Sequence, residues 1–168
     1  FNLLNKFKKQ YPSVKTLISV GGWAETGGYF DATGKRVNSG GFYSMTTNAD
    51  GSVNTAGINT FADSVVAFLR KYNFDGVDID YEYPTTMKDA GNPLDWTIAN
   101  ARRAGLVRSY SALLKTLREK LDAAATVDNR YYQVTIAAPA SAHLLRGMEN
   151  MAALQFLDFA NIMSYDLH

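Results

Sequence analysis

The chain has 168 residues, enough for one domain with a hydrophobic core. Apolar residues make up 46% and charged residues 20%, a globular composition that excludes a disordered or fibrous chain. With 17 Lys and Arg against 16 Asp and Glu, the net charge of +1 offers no field to draw a nucleic acid or an anionic membrane, and the absence of cysteine removes disulfides, thiolate metal sites and cysteine nucleophiles.

No apolar run approaches the roughly 18 to 20 residues that span a bilayer, and the opening FNLLNKFKKQYPS is too polar for a signal peptide. Targeting information is expected outside this stretch. In chain order, Leu3, Leu4 and Phe7 give a short helical stripe. Thr16 to Val20, closed by Gly21-Gly22, reads as a buried strand. Residues 24 to 57 are rich in Gly, Ser, Thr and Asn, with Tyr29, Phe30, Phe42 and Tyr43 scattered through them. These rings are either flat platforms for a ligand or anchors that hold a long loop to the body. Phe61, Val65, Phe68 and Leu69 mark a helix, with Asn59 or Thr60 as its cap and Asn73 just past its end.

Phe74 to Tyr83 reads as the second strand, stopped by Pro84, and residues 85 to 96 as a loop. A long helix over about 97 to 124 carries Ala101, Ala104, Leu106, Tyr110, Leu113, Leu114, Leu117 and Leu121 at three- and four-residue spacing. Gln133 to Ala138, ended by Pro139, is the third strand. A short helix follows over Met151 to Leu157, and Phe159 to Tyr165 is the fourth strand. Alternating helices and strands predict an α/β domain with a parallel sheet, and both long loops follow strand C-termini, where such folds bind ligands.

The strongest local signal is Asp75-Gly76-Val77-Asp78-Ile79-Asp80-Tyr81-Glu82-Tyr83-Pro84. A strand alternates faces, so Asp78, Asp80 and Glu82 share one side while Val77, Ile79 and Tyr81 share the other. Parallel sheets are covered on both faces, which encloses the three acids. Like charges enclosed together favour a held proton, and a held proton is what a general acid needs. Glu82, last before the proline, stands at the strand mouth. Asp80 is expected to bond to it and exchange a proton, Asp78 to tune or hold Asp80, and Asp75 to serve a turn or hydrogen-bonding role. A cation site and a structural acid cluster are the competing readings, although a Ca²⁺ loop is curved around a fixed glycine and this string is extended.

The string resembles the DxxDxDxE signature of family 18 glycoside hydrolases through Asp75, Asp78, Asp80 and Glu82, followed by Tyr83-Pro84. Ser19-Val20-Gly21-Gly22-Trp23 is similar to the family's SxGG motif, Ala137-Ala138-Pro139 to its fifth-strand ending, and Met163-Ser164-Tyr165-Asp166 to its Met-x-Tyr-Asp motif. The resemblance implies a (β/α)8 TIM barrel, of which residues 1–168 cover approximately strands three to six. It also implies retaining, substrate-assisted hydrolysis of β-1,4-linked N-acetylglucosamine in chitin or chito-oligosaccharides. Glu82 would be the acid/base, Asp80 would orient the substrate's acetamido group with Asp78 behind it, and Tyr165 would donate to that group.

Asp166, Met163, Gly22, Trp23 and Tyr83 would contact sugar, with Gly21 structural and Trp23 either lining the entrance or packed in the core. No cofactor or metal is implied. His143 and His168 lack the carboxylate spacing of a metal site and read as exposed or hydrogen-bonding groups.

A barrel of this kind has eight strands and about 250 residues, so a longer protein or companion chains would supply the rest, within a larger assembly in one reading. The resemblance implies an extracellular protein. A non-catalytic chitin-binding or scaffold relative and an endo-N-acetylglucosaminidase acting on N-glycans are the alternative functions. The presence of Glu82 favours an enzyme over the first.

Overall fold

The computed structural model describes residues 1–148 and 151–166. In chain order the elements are α1 Asn2–Gln10, β1 Leu17–Gly21, a small hairpin of β2 Tyr29–Phe30 and β3 Arg36–Val37, α2 Phe42–Thr46 and α3 Thr55–Tyr72. They continue with β4 Gly76–Asp80, α4 Trp96–Asp128, β5 Gln133–Pro139, α5 Ala142–Gly147 and β6 Phe159–Met163. The main sheet runs β1-β4-β5-β6 with every neighbour parallel, as crossover helices between strands require. This is the α/β architecture expected from the alternation of elements.

The expected alternation along β4 is present. Val77, Ile79 and Tyr81 are buried against the helices, where the Tyr81 ring stacks on Phe42 at 4.9 Å and meets Tyr110 edge-on at 5.7 Å. The α4 residues Leu106, Leu113, Leu114, Leu117 and Leu121 close the same core, each such burial stabilising by about 1.5–3 kcal/mol. Ala101 and Ala104, expected on that face, are exposed. Ala99 and Gly105 take the inward positions instead, because Gly105 lies so close to the Gly51 loop that a Cβ would stand 2.0 Å from the Gly51 carbonyl oxygen.

Other boundaries differ from the sequence expectation for local reasons. Helix α3 starts earlier than Asn59 or Thr60, because Asn54 caps it by accepting the Gly57 N–H at 3.0 Å, whereas Asn59 donates to Thr55 O from inside the helix. Its end is as expected, at Asn73 in the left-handed conformation. Ladder pairing of β4 stops at Asp80, short of the expected Tyr83. β6 stops at Met163, short of Tyr165. Residues Met151–Phe156 form a 3-10 helix and not an α-helix. Helix α1 buries none of its residues, and Leu3 points to solvent.

The long segment after β1 contains β2, β3 and α2, which the polar composition masked. Of its aromatics, Phe42 and Tyr43 are buried anchors, whereas Tyr29 and Phe30 are exposed. At the opposite end of the sheet, Asp75 accepts from the Thr16 amide at 2.8 Å and pairs with Lys8 and Arg130, each at 2.7 Å. Burial raises its pKa, but Lys8, the Thr16 amide and Arg130 outweigh that and hold it below the ordinary aspartate value.

Candidate active site

An open cleft of about 750 Å³ lies at the C-terminal ends of the parallel strands. Among the residues that line it are Trp23 after β1, Asp80, Glu82 and Tyr83 at the end of β4, Pro139 and His143 around the end of β5, and Met163, Tyr165 and Asp166 at and just beyond the end of β6. Seven residues singled out in the sequence therefore meet in one place: Trp23, Asp80, Glu82, Tyr83, Met163, Tyr165 and Asp166. Asp78 sits one pleat below them, and Asp75 sits at the other end of β4. His143 is exposed on the cleft wall; His168 lies outside the described residues.

Glu82 is only 8% exposed. Burial, followed by the interaction with the neighbouring Glu82 carboxylate, raises the Tyr83 phenol well above its usual range. The peptide joining the two residues is cis.

The expected bond between Asp80 and Glu82 is replaced by a different arrangement. Oδ1 of Asp80 is buried without a hydrogen-bond partner. Burial, then the charges of Glu82 and Asp78, push the Asp80 carboxyl up to about 6. A carboxyl in this state keeps its proton up to about pH 6.

Asp78 acts on Asp80 through its charge, because its oxygens are occupied elsewhere. Oδ1 accepts from Thr135 Oγ1 at 2.6 Å and from Asn161 Nδ2 at 3.1 Å, and Oδ2 accepts from Ser19 Oγ at 3.0 Å. Those three donors come from β5, β6 and β1, so one carboxylate draws on all the other strands of the sheet. Thr135 was not among the candidates. Its only sequence signal is a polar residue inside the apolar run QVTIAA.

The Gly21-Gly22 pair has a steric reason. Both have positive φ, at 110° and 93°, which favours glycine. A Cβ on Gly21 would stand 2.2 Å from the Asp80 carbonyl oxygen and 2.6 Å from the Phe42 ring, and one on Gly22 would face Asp80 Oδ2 at 3.4 Å. Trp23, which follows them, is 49% exposed and forms part of the cleft wall, so it is not a core ring. Its backbone carbonyl accepts from Asn92 Nδ2 at 3.1 Å. Next to it the Ala24 carbonyl accepts from Arg36 at 2.5 Å, and Arg36 in turn pairs with the buried Asp95. The loops after β1 and β4 are thus tied together behind the cleft. Tyr165 lies just beyond the end of β6 and is 63% exposed on the cleft side.

Chemically, two adjacent carboxyl groups at the mouth of a groove, one of them titrating near 6, can give a proton to a bound group and take one back. Among the described residues no group of three or more His, Cys, Asp or Glu is arranged to hold a metal ion.

Comparison with known proteins points to a single lineage. The sequence profile of glycosyl hydrolases family 18 matches residues 1–168. Chitinase A1 of Niallia circulans is 39% identical over 167 residues, covering 99% of this chain and 20% of the relative. The crystal structure of a family GH18 chitinase from Chromobacterium violaceum superposes with a TM-score of 0.96 at 71% identity, covering 99% of this chain and 25% of that one. A family 18 N-acetylglucosaminidase from Paenibacillus barengoltzii superposes with a TM-score of 0.69 at 32% identity, covering 98% and 40%. The chain therefore spans less than half the length of each of these relatives. With the family profile matched across its whole length and the fold superposing at a TM-score of 0.96, the chain belongs to glycosyl hydrolase family 18.

Proposed function

We propose that Glu82 is the acid/base of a retaining hydrolysis of β-1,4-linked N-acetylglucosamine in chitin or chito-oligosaccharides. The observation that carries this reading is the meeting of Glu82, Asp80, Tyr83 and Tyr165 around one open cleft, with the Asp80 carboxyl pushed up to about 6. Glu82 protonates the glycosidic oxygen as the bond to the anomeric carbon breaks. The carbonyl oxygen of the substrate's own 2-acetamido group closes on that carbon and gives an oxazolinium-like intermediate. Water then attacks the same carbon, Glu82 takes its proton, and the acetamido group is released with configuration retained. This departs from the two-carboxylate geometry of most glycosidases.

Asp80 orients the acetamido N–H and stabilises the positive charge that develops there. Tyr165 donates its hydroxyl to the acetamido oxygen. Asp78, held by donors from three strands, is fixed in place beneath Asp80. Trp23, Tyr83, Met163 and Asp166 contact the sugar, and the bare Gly22 lets it approach Asp80. The four parallel strands correspond to strands three to six of a (β/α)8 barrel whose other strands lie outside residues 1–168, and the protein works outside the cell on its polymer. The presence of Glu82 inside the cleft favours catalysis over sugar binding alone.

In the intact protein, Glu82→Gln is expected to abolish turnover of a chromogenic chito-oligosaccharide while leaving its binding within a few-fold. The amide keeps the shape and loses the transferable proton. Turnover retained by this variant would refute the assignment, and hydrolysis of an N-glycan core with no action on chito-oligosaccharides would redirect the substrate.

A further inference from the structure

Glu82 lies beyond the ladder of its own strand. β4 pairs with β1 as far as Asp80 and with β5 only as far as Ile79, so the sheet does not hold the peptides on either side of Glu82. A side chain in that position would swing with its backbone, and a displacement of about 1 Å at a reacting group costs on the order of a hundredfold in rate.

Two side chains from the segment after β1 replace the missing ladder. Thr26 Oγ1 accepts the Glu82 N–H at 3.2 Å and donates to the Gly22 carbonyl at 2.9 Å. The Tyr43 hydroxyl donates to the Glu82 carbonyl at 3.1 Å and accepts the Tyr83 N–H at 3.0 Å. Both residues are wholly buried, which excludes water as a competing partner and makes each bond costly to lose. The Tyr43 ring is fixed edge-on to Tyr81 at 5.3 Å. The loop after β4 closes over the arrangement at Gly91, where a Cβ would stand 2.5 Å from the Glu82 carbonyl oxygen and 3.3 Å from the Tyr43 hydroxyl. Every main-chain polar group from the Glu82 amide to the Tyr83 amide therefore ends on one of two buried hydroxyls. Tyr83 is also the residue whose phenol interacts with the Glu82 carboxylate, so the same contacts set the backbone of both groups. Thr26 also ties Glu82 to Gly22, next to the cleft-wall Trp23.

We infer that Tyr43 and Thr26 are positioning residues for Glu82, holding its backbone so that its carboxyl stands in the cleft beside Asp80. The inference rests on the reading of Glu82 as acid/base. Neither residue touches the cleft; both act through Glu82 and Tyr83.

The test uses Tyr43→Phe, Thr26→Val and Thr26→Ser in the intact protein, with two readouts. Steady-state turnover of a chito-oligosaccharide, measured well below the unfolding temperature, should show kcat lowered about tenfold to a hundredfold in Tyr43→Phe and Thr26→Val with KM changed less than about twofold. Thr26→Ser, which keeps the hydroxyl, should retain most of the activity. Amide hydrogen exchange should accelerate at least about tenfold at Tyr83 in Tyr43→Phe and at Glu82 in Thr26→Val, with the Gly76–Asp80 ladder unchanged. Wild-type kcat in the folded Tyr43→Phe and Thr26→Val variants, or unchanged exchange at those two amides, overturns the inference. If Tyr43→Phe does not fold, the Thr26 pair decides by the same criteria. If the wild-type protein turns over no chito-oligosaccharide, the assignment of Glu82 fails, and the exchange data alone then decide whether these hydroxyls hold its backbone.

Discussion

Removing the negative charge at Asp80 should make the protein more stable while it slows the chemistry. Asp80 is partly buried, has one oxygen without a partner, and faces the charges of Glu82 and Asp78. Its rise from a free aspartate's 3.8 to about 6 corresponds to about 3 kcal/mol at about 1.4 kcal/mol per tenfold. The cleft is open, and solvent screening reduces this to roughly 1–2 kcal/mol. The sign follows from proton counts. Between pH 3.8 and about 6 the folded state holds a proton that the unfolded chain has released, so stability falls as pH rises through that window. Above it, both states are ionised and the folded state carries the whole penalty.

Asp80→Asn is neutral at every pH and escapes this cost. Urea unfolding of the intact protein at about pH 7.5 should show the variant more stable by roughly 1–2 kcal/mol, with the difference nearly gone at about pH 4. Turnover should fall sharply at both. A variant no more stable than wild type at the higher pH, or a gain of equal size at both, would refute the claim that burial, with the charges of Glu82 and Asp78, raises Asp80.

Arg36→Ala should destabilise by roughly 3–5 kcal/mol, since Asp95 is wholly buried, pairs with Arg36 at 2.5 Å, and has its other oxygen unpartnered. Asp95→Asn in the same background should recover part of that loss, and a urea double-mutant cycle measures it. Asp75→Ala should cost roughly 2–3 kcal/mol near pH 7 by stranding Lys8 and Arg130. Because the Asp75 pKa is lowered on folding, its contribution is present above the ordinary 3.8 and is lost as pH falls through the folded value. The Tm difference between variant and wild type should therefore shrink at about pH 3. Tyr165→Phe should lower kcat about tenfold or more with KM little changed, and a wild-type kcat would remove Tyr165 from the mechanism.

Local periodicity determined much of this protein from the sequence alone. Two-residue alternation is a property of any extended chain, so FDGVDIDYEY committed Val77, Ile79 and Tyr81 to the core and Asp78, Asp80 and Glu82 to the opposite face without reference to any other segment. The three- and four-residue spacing of Leu106 to Leu121 likewise fixed the buried face of α4. What each acid touches was decided only in three dimensions. Asp78 takes its donors from Ser19, Thr135 and Asn161 through sheet register. Glu82 is held by Thr26 and Tyr43, which precede it by 56 and 39 positions in a segment whose sequence has no regular apolar spacing. The Asp80 proton depends on burial and on two neighbouring charges at once. Periodicity dictates which way a side chain points; its partners and its pKa follow from whatever distant chain the fold brings against it.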